Sequence, residues 1–146
     1  MKVALAQIDA SVGDLRGNAE KILSALEDAA RRGAALTVFC EQTLGGYPAL
    51  DLWEERGFAE ANEKALAALA KRIRGAAALV GFVSKNKDRV GKPVRNSAAL
   101  LHNGKIIAVR HKTLLPTYDV FDEARYFEPA SENKPISWGG HKLGVT

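Results

Sequence analysis

The chain has 146 residues, 47% of them hydrophobic and 26% charged, with a formal net charge of +4 and a single cysteine. That length and apolar fraction suit one ordinary domain with a sizeable core and exclude disorder, while one cysteine excludes an internal disulfide. The longest apolar stretch, Ala76 to Val83, falls far short of the roughly 20 residues a bilayer span needs.

With no charged leader ahead of an apolar segment, the expectation is a reduced, cytoplasmic protein with no membrane contact. Nor does the positive charge read as a nucleic-acid footprint. The basic residues are scattered among acids, and the densest group (Lys85, Lys87, Arg89, Lys92, Arg95) falls in an expected loop with few aromatics for base stacking.

The short apolar run Val3 to Ile8 predicts a buried central strand. From Asn18, a candidate N-cap, apolar residues Ala19, Ile22, Leu23, Leu26 and Ala30 recur at helical spacing until Gly33. Leu36 to Phe39 predicts a second strand. A loop from Thr43 to about Glu55 carries Gly45, Gly46 and Pro48, and Phe58 to Ile73 repeats the amphipathic helical pattern up to Gly75.

Ala77 to Ser84 predicts a third strand, and Lys85 to Pro93 a polar loop. Asn103-Gly104 marks a hairpin pairing Asn96–His102 with Lys105–His111, because both central residues of a type I′ turn need positive φ. Thr113 to Ser137 has no clear period and reads as a long ordered loop, after which Trp138 and Gly139-Gly140 lead into Lys142–Thr146 as the start of another strand. Strands alternating with helices, plus a hairpin, predict an α/β layered fold. The apolar finish suggests a piece of a longer protein.

No phosphate loop, G-x-S-x-G elbow or paired Cys/His spacing is present, and His102, His111 and His141 stand apart from carboxylates in sequence. The positive signal lies at strand ends, where α/β folds gather their sites: Glu41 follows the second strand and Lys112 follows the hairpin. Each alone is usually no more than a solvated charge.

Their flanks add context. Glu41 followed by Gly46-Tyr47-Pro48 and Asp51-Leu52, then Asn96-Ser97-Ala98, then His111-Lys112 with Leu115-Pro116, resembles the nitrilase (carbon–nitrogen hydrolase) superfamily. More narrowly, YDVFDEARYF (Tyr118 to Phe127) and ALAQIDASVGDLRGN (Ala4 to Asn18) are similar to the glutaminase domain of glutamine-dependent NAD synthetases.

The resemblance covers the whole chain. It implies a nitrilase-like αββα sandwich, incomplete in this chain, with residues 1–146 as the N-terminal portion of a glutaminase domain. It also implies Glu41 as general base, Lys112 as the cation beside the tetrahedral intermediate, and a cysteine nucleophile just beyond Thr146. For substrate it implies L-glutamine, held by Tyr47, Tyr118, Phe121 and Glu123, the last pairing with the substrate ammonium.

Cys40 stands where the family usually has proline and is expected to pack on the opposite side of the strand end from Glu41. Gln42 and Gly45 likewise replace an apolar residue and a threonine. Asp122 and Arg125 read as a loop-ordering ion pair. The resemblance places no cofactor in this chain, with ATP and Mg at an absent synthetase domain, and a homo-oligomer is expected. Two alternatives stay open: another amidase or carbamoylase of the superfamily, and a non-catalytic binding or assembly module.

Overall fold

A computed structural model describes residues 1–88 and 90–146. Arg89, one of the basic loop group, lies outside the described residues. Five strands form one sheet in sequence order: β1 (Val3–Ala6), β2 (Leu36–Phe39), β3 (Ala77–Lys85), β4 (Val94–His102) and β5 (Lys105–His111). The first three are parallel and the last two antiparallel, which is what two helical crossovers followed by connections without a helix produce.

The crossovers are α1 (Leu15–Arg31) and α2 (Phe58–Arg72). Both helices pack on one face of the sheet, burying Ile22, Leu26, Leu66 and Leu69 against Val80, Phe82, Ala99 and Leu101. Each such side chain contributes roughly 1.5–3 kcal/mol on burial. This helix-on-sheet arrangement is one half of the sandwich the resemblance implies.

Two expectations need correction. β1 pairs only with β2 and stands at the sheet edge, with Leu5 81% exposed; its apolar run has one half-buried side, Ala4 and Ala6, rather than two. And α1 starts at Leu15 with Asp14 as N-cap, its carboxylate accepting from Gly17 N at 2.8 Å. Asn18 is fully buried instead, its amide bonded to Ser11 N, Ser11 O and Leu44 O. It ties α1 to two loops.

The Asn103-Gly104 turn has φ of 46° and 82°, and the hairpin register follows it, His102 opposite Lys105. The opposite face of the sheet is covered only in part. At one end a small hairpin, β6 (Ile136–Trp138) and β7 (His141–Leu143), rests on Leu36, Ala77 and Leu100. The expected last strand is thus the second arm of a turn at Gly139-Gly140. At the other end Trp53, Tyr126 and Phe127 pack on Val83 and Val94. No helix is long and apolar enough to cross a membrane among the described residues.

Candidate active site

Between these two patches lies a cleft of about 220 Å³ lined by Glu41, Asn96, Lys112, Cys40, Val145 and Thr146, among others. Its residues arrive there because β2 is short. The chain leaves the sheet after Phe39 and crosses directly over Gly81 of β3, where a Cβ would lie 2.4 Å from Cys40 O and 2.5 Å from Gln42 N. Only glycine allows that approach. Leu44 N then bonds Gly81 O at 3.1 Å, and Asn62 of α2 accepts from Val83 N at 3.0 Å, so β3 amide groups beyond the end of β2 keep partners.

Lys112 is the residue after β5. Its N–H donates to Asn96 O at 2.8 Å and its carbonyl accepts from Ala130 N at 2.9 Å, which pins its backbone on both sides. Since Ser97 faces His111 in the ladder, Lys112 faces Asn96, and the two side chains share the open face of the sheet.

Glu123 comes from elsewhere, the single helical turn α3 (Glu123–Tyr126) in the long loop. Tyr126 Oη donates to Asp51 at 2.7 Å and Arg125 pairs with Asp51 at 3.0 Å, so α3 is anchored to the 3₁₀ turn Leu50–Glu54. Arg125 therefore has Asp51 and Glu54 as its partners, and the expected pair with Asp122 does not form.

These elements bring four side chains together. Lys112 Nζ donates to Glu41 Oε1 at 2.7 Å and to Glu123 Oε1 at 3.0 Å; Asn96 Nδ2 donates to Glu41 Oε1 and lies 3.4 Å from Glu123 Oε2. Glu123 is 5% exposed. Burial pulls the Lys112 ammonium down, but its bonds to Glu41 and Glu123 outweigh this and hold it above its ordinary value. Burial pushes the Glu123 carboxyl up, the Lys112 bond opposes this, the Glu41 charge reinforces it, and the net direction is up. The ensemble is two carboxylates around one ammonium, open to solvent on the Glu41 side.

Tyr47, Phe121 and Glu123 line a second, mostly apolar cavity of about 220 Å³ with Trp53 and Tyr126. Burial first, then the Glu123 and Glu41 charges, raise the Tyr47 hydroxyl pKa. Tyr118 is 69% exposed and stacks edge-on against Phe121, with ring centroids 5.7 Å apart. So the structure gathers Glu41, Lys112 and Glu123 at one point, places Tyr47 and Phe121 beside Glu123, and leaves Tyr118 at the rim.

Asn96 was singled out in the sequence only as part of a motif; its strand position opposite Lys112 was the signal available. Cys40 departs from expectation. It is exposed and shares the cleft with Glu41, because strand alternation lapses where β2 ends. Gln42 is buried and accepts from Trp53 Nε1 at 3.1 Å, and a Cβ at Gly45 would meet Trp53 Cη2 at 2.5 Å. Two of the substitutions relative to the family thus belong to one adjustment around Trp53.

The carbon-nitrogen hydrolase family pattern matches residues 2–146. A glutamine-dependent NAD(+) synthetase of Thermotoga maritima is 40% identical over 148 residues, covering 100% of this chain and 25% of that protein. The same enzyme of Synechocystis sp. is 43% identical over 148 residues, covering 99% and 26%.

Among solved structures, a glutamine-dependent NAD+ synthetase from Acinetobacter baumannii in complex with ADP superposes with a TM-score of 0.88 at 34% identity, over 97% of this chain and 26% of that one. An amidase from Nesterenkonia sp. gives 0.79 at 26%, over 99% and 54%. The chain spans about a quarter of the length of the synthetases it matches. Sheet order, helix placement and the match over nearly every residue agree, and the chain belongs to the carbon-nitrogen hydrolase family.

Proposed function

We propose that these residues serve a glutaminase that releases ammonia for the ATP-dependent amidation of nicotinic acid adenine dinucleotide to NAD. The observation that carries this reading is the 2.7 Å contact between Glu41 and Lys112, delivered by strand ends 71 residues apart to one cleft. The similarity to the Thermotoga and Synechocystis synthetases over the whole chain supports the choice of glutamine and of NAD synthesis.

In the proposed reaction a cysteine thiol from residues beyond Thr146 loses its proton to Glu41 and attacks the amide carbon of glutamine. The C–N π-stabilised amide is a poor electrophile, so the charge that builds on its oxygen needs a donor in place. Lys112 spends two N–H bonds on the carboxylates and keeps the third for that oxygen. Glu41 returns the proton to the departing ammonia, leaving a thioester. It then takes a proton from water, which attacks the thioester carbon; glutamate leaves and the thiol is restored.

Glu123 fixes Lys112 and, with Tyr47 and Phe121, bounds the pocket for the rest of glutamine, with Tyr118 closing the rim. Glu123 Oε2, which Asn96 Nδ2 reaches at 3.4 Å, also pairs with the substrate ammonium. ATP and Mg act at a separate synthetase domain: here the ammonium of Lys112 occupies the position between the carboxylates that a cation would take, and no step runs through either group. A reducing compartment, the cytoplasm, suits a free thiol. The exposed Val3 and Leu5 on β1 support burial against further polypeptide in an oligomer.

The superposition on the Nesterenkonia amidase favours one other reading, hydrolysis of simple amides by the same groups. The test is an assay of the full-length protein with glutamine, simple amides and free ammonia. Glu41→Ala and Lys112→Ala should each abolish glutamine-driven NAD synthesis, by at least about a hundredfold, while ammonia-driven synthesis persists. Equal loss of both would reject the assignment, and preference for simple amides would support the amidase.

A further inference from the structure

We propose that Asn96 is a positioning residue of this site: its side-chain amide ties up one oxygen of Glu41 so that only Oε2 remains to take and return the proton. The inference rests on the glutaminase reading and adds to it a determinant of which carboxylate oxygen acts.

Asn96 is 4% exposed on β4. A buried asparagine in a strand interior ordinarily satisfies backbone groups. Here both contacts of its Nδ2 go to carboxylates, Glu41 Oε1 and, at 3.4 Å, Glu123 Oε2. Glu41 Oε1 also receives Lys112 Nζ, so its two lone pairs are filled, while Oε2 has no partner among the described residues. The amide orientation is settled by charge: turned over, Oδ1 would face two carboxylates.

Its neutrality matters as well. Two carboxylates and one ammonium already leave the cluster one negative charge in excess. A second cation there would hold Glu41 ionised too firmly to accept a proton, and an acid in its place would push every proton affinity in the cluster upward. An amide donates to the charged form of Glu41 without adding charge. Through its carbonyl, which accepts from Lys112 N at 2.8 Å, the same residue also sets the height of the lysine on the sheet.

Asn96→Asp keeps the shape and removes the donor; Asn96→Ser keeps a shorter donor. In full-length protein, glutamine hydrolysis would be followed against pH, with thermal melting of the same samples as the measure of an intact fold and ammonia-driven synthesis as the measure of an intact synthetase domain. For Asn96→Asp, kcat should fall by roughly ten- to a hundredfold, the loss expected for a hydrogen bond to a charged group, and the acid limb of the profile should move up by on the order of one pH unit. KM for glutamine should change by less than about threefold, and Asn96→Ser should recover part of both effects.

Because an aspartate moves the limb by its charge alone, the neutral Asn96→Ala decides: a residue that only holds the strand would lower activity there without moving the acid limb, whereas loss of the donor to Glu41 should move it up. An active wild type whose variants show an unmoved limb would overturn the role of Asn96 alone. A wild type without glutaminase activity would overturn the functional reading beneath it. If the alanine variant fails to fold, as shown by loss of the melting transition of the glutaminase portion, the position of the limb in Asn96→Ser decides.

Discussion

The ends of β4 and β5 carry two polar clusters back to back, and they differ in kind. On the open face, Asn96 and Lys112 join Glu41 and Glu123 in a charged group beside a cleft. On the helix face, the neighbouring residues Ser97 and His111 join Ser84, with Ser97 Oγ 2.8 Å from His111 Nδ1 and 2.9 Å from Ser84 Oγ. The second group closes on itself with hydroxyls and a ring nitrogen. The first places a carboxylate in a buried position whose charge the fold disfavours, an arrangement that stability does not need and that the proposed glutaminase would use. One-residue alternation along two strands thus separates the proposed reactive face from a bracing face.

Glu123→Gln gives the largest effect that would sharpen this contrast. Because the Glu123 carboxyl is raised by burial and by Glu41 against the Lys112 bond, the folded state holds its proton more readily than the unfolded chain does. Stability then rises as pH falls from the folded value toward the ordinary value, and at neutral pH the ionised group subtracts from it. The variant should be at least as stable as wild type at pH 7 by urea denaturation, and lose that acid-side gain. Glutamine hydrolysis should drop by roughly a hundredfold as one of the two acceptors that hold Lys112 loses its charge. A clear loss of stability at pH 7 would break the contrast by making Glu123 a brace.

Gly81→Ala should come next. Its Cβ would collide with backbone at 2.4 Å on the open face, so the Cys40–Gln42 segment must lift. A cost of about 1–3 kcal/mol is expected, with a lower melting temperature and glutamine-driven activity reduced further than ammonia-driven activity, because Glu41 rides on that segment. Equal reduction of the two activities would show that the segment does not set the geometry of the site.

What the sequence disclosed about these faces depended on whether the determining contact was local. The Asn103-Gly104 turn, the span of β2 and the Gly33 stop are written in backbone preferences of adjacent residues, and they stand where expected, whereas α2 ends at Arg72 on an extended Ile73 and Gly75 lies beyond it, bonded to Asn103. Asn18 was misread as a cap because its amide serves Ser11 and Leu44, the latter 26 residues away. β1 was misplaced at the centre because an apolar run does not say which of its sides is covered. Glu41 and Lys112 were legible as strand-end charges in a familiar pattern. The Lys112–Glu123 bond and the Arg125–Asp51 pair depend on how a loop without periodicity folds back, which no local signal encodes.

The bracing face offers the smallest and most specific test. Burial lowers the His111 pKa, and the charges of Arg95, Lys87 and Arg110 lower it further against a weaker opposing pull from Asp88. A histidine held neutral in the fold but protonated at its ordinary value of 6.5 when unfolded binds more protons in the unfolded chain. Stability should therefore be full above about pH 7, begin to fall as pH drops through 6.5, and level off below the depressed folded value. His111→Asn can keep an amide near the Nδ1 position and its contact with Ser97, but it does not titrate. The variant should show a flatter stability profile between pH 7.5 and 5.5 (about the span in which histidine changes charge), with glutamine turnover at neutral pH changed by less than about threefold. A large loss of turnover would mean that the two clusters communicate through the strand ends, and the division between a reactive and a bracing face would have to be given up.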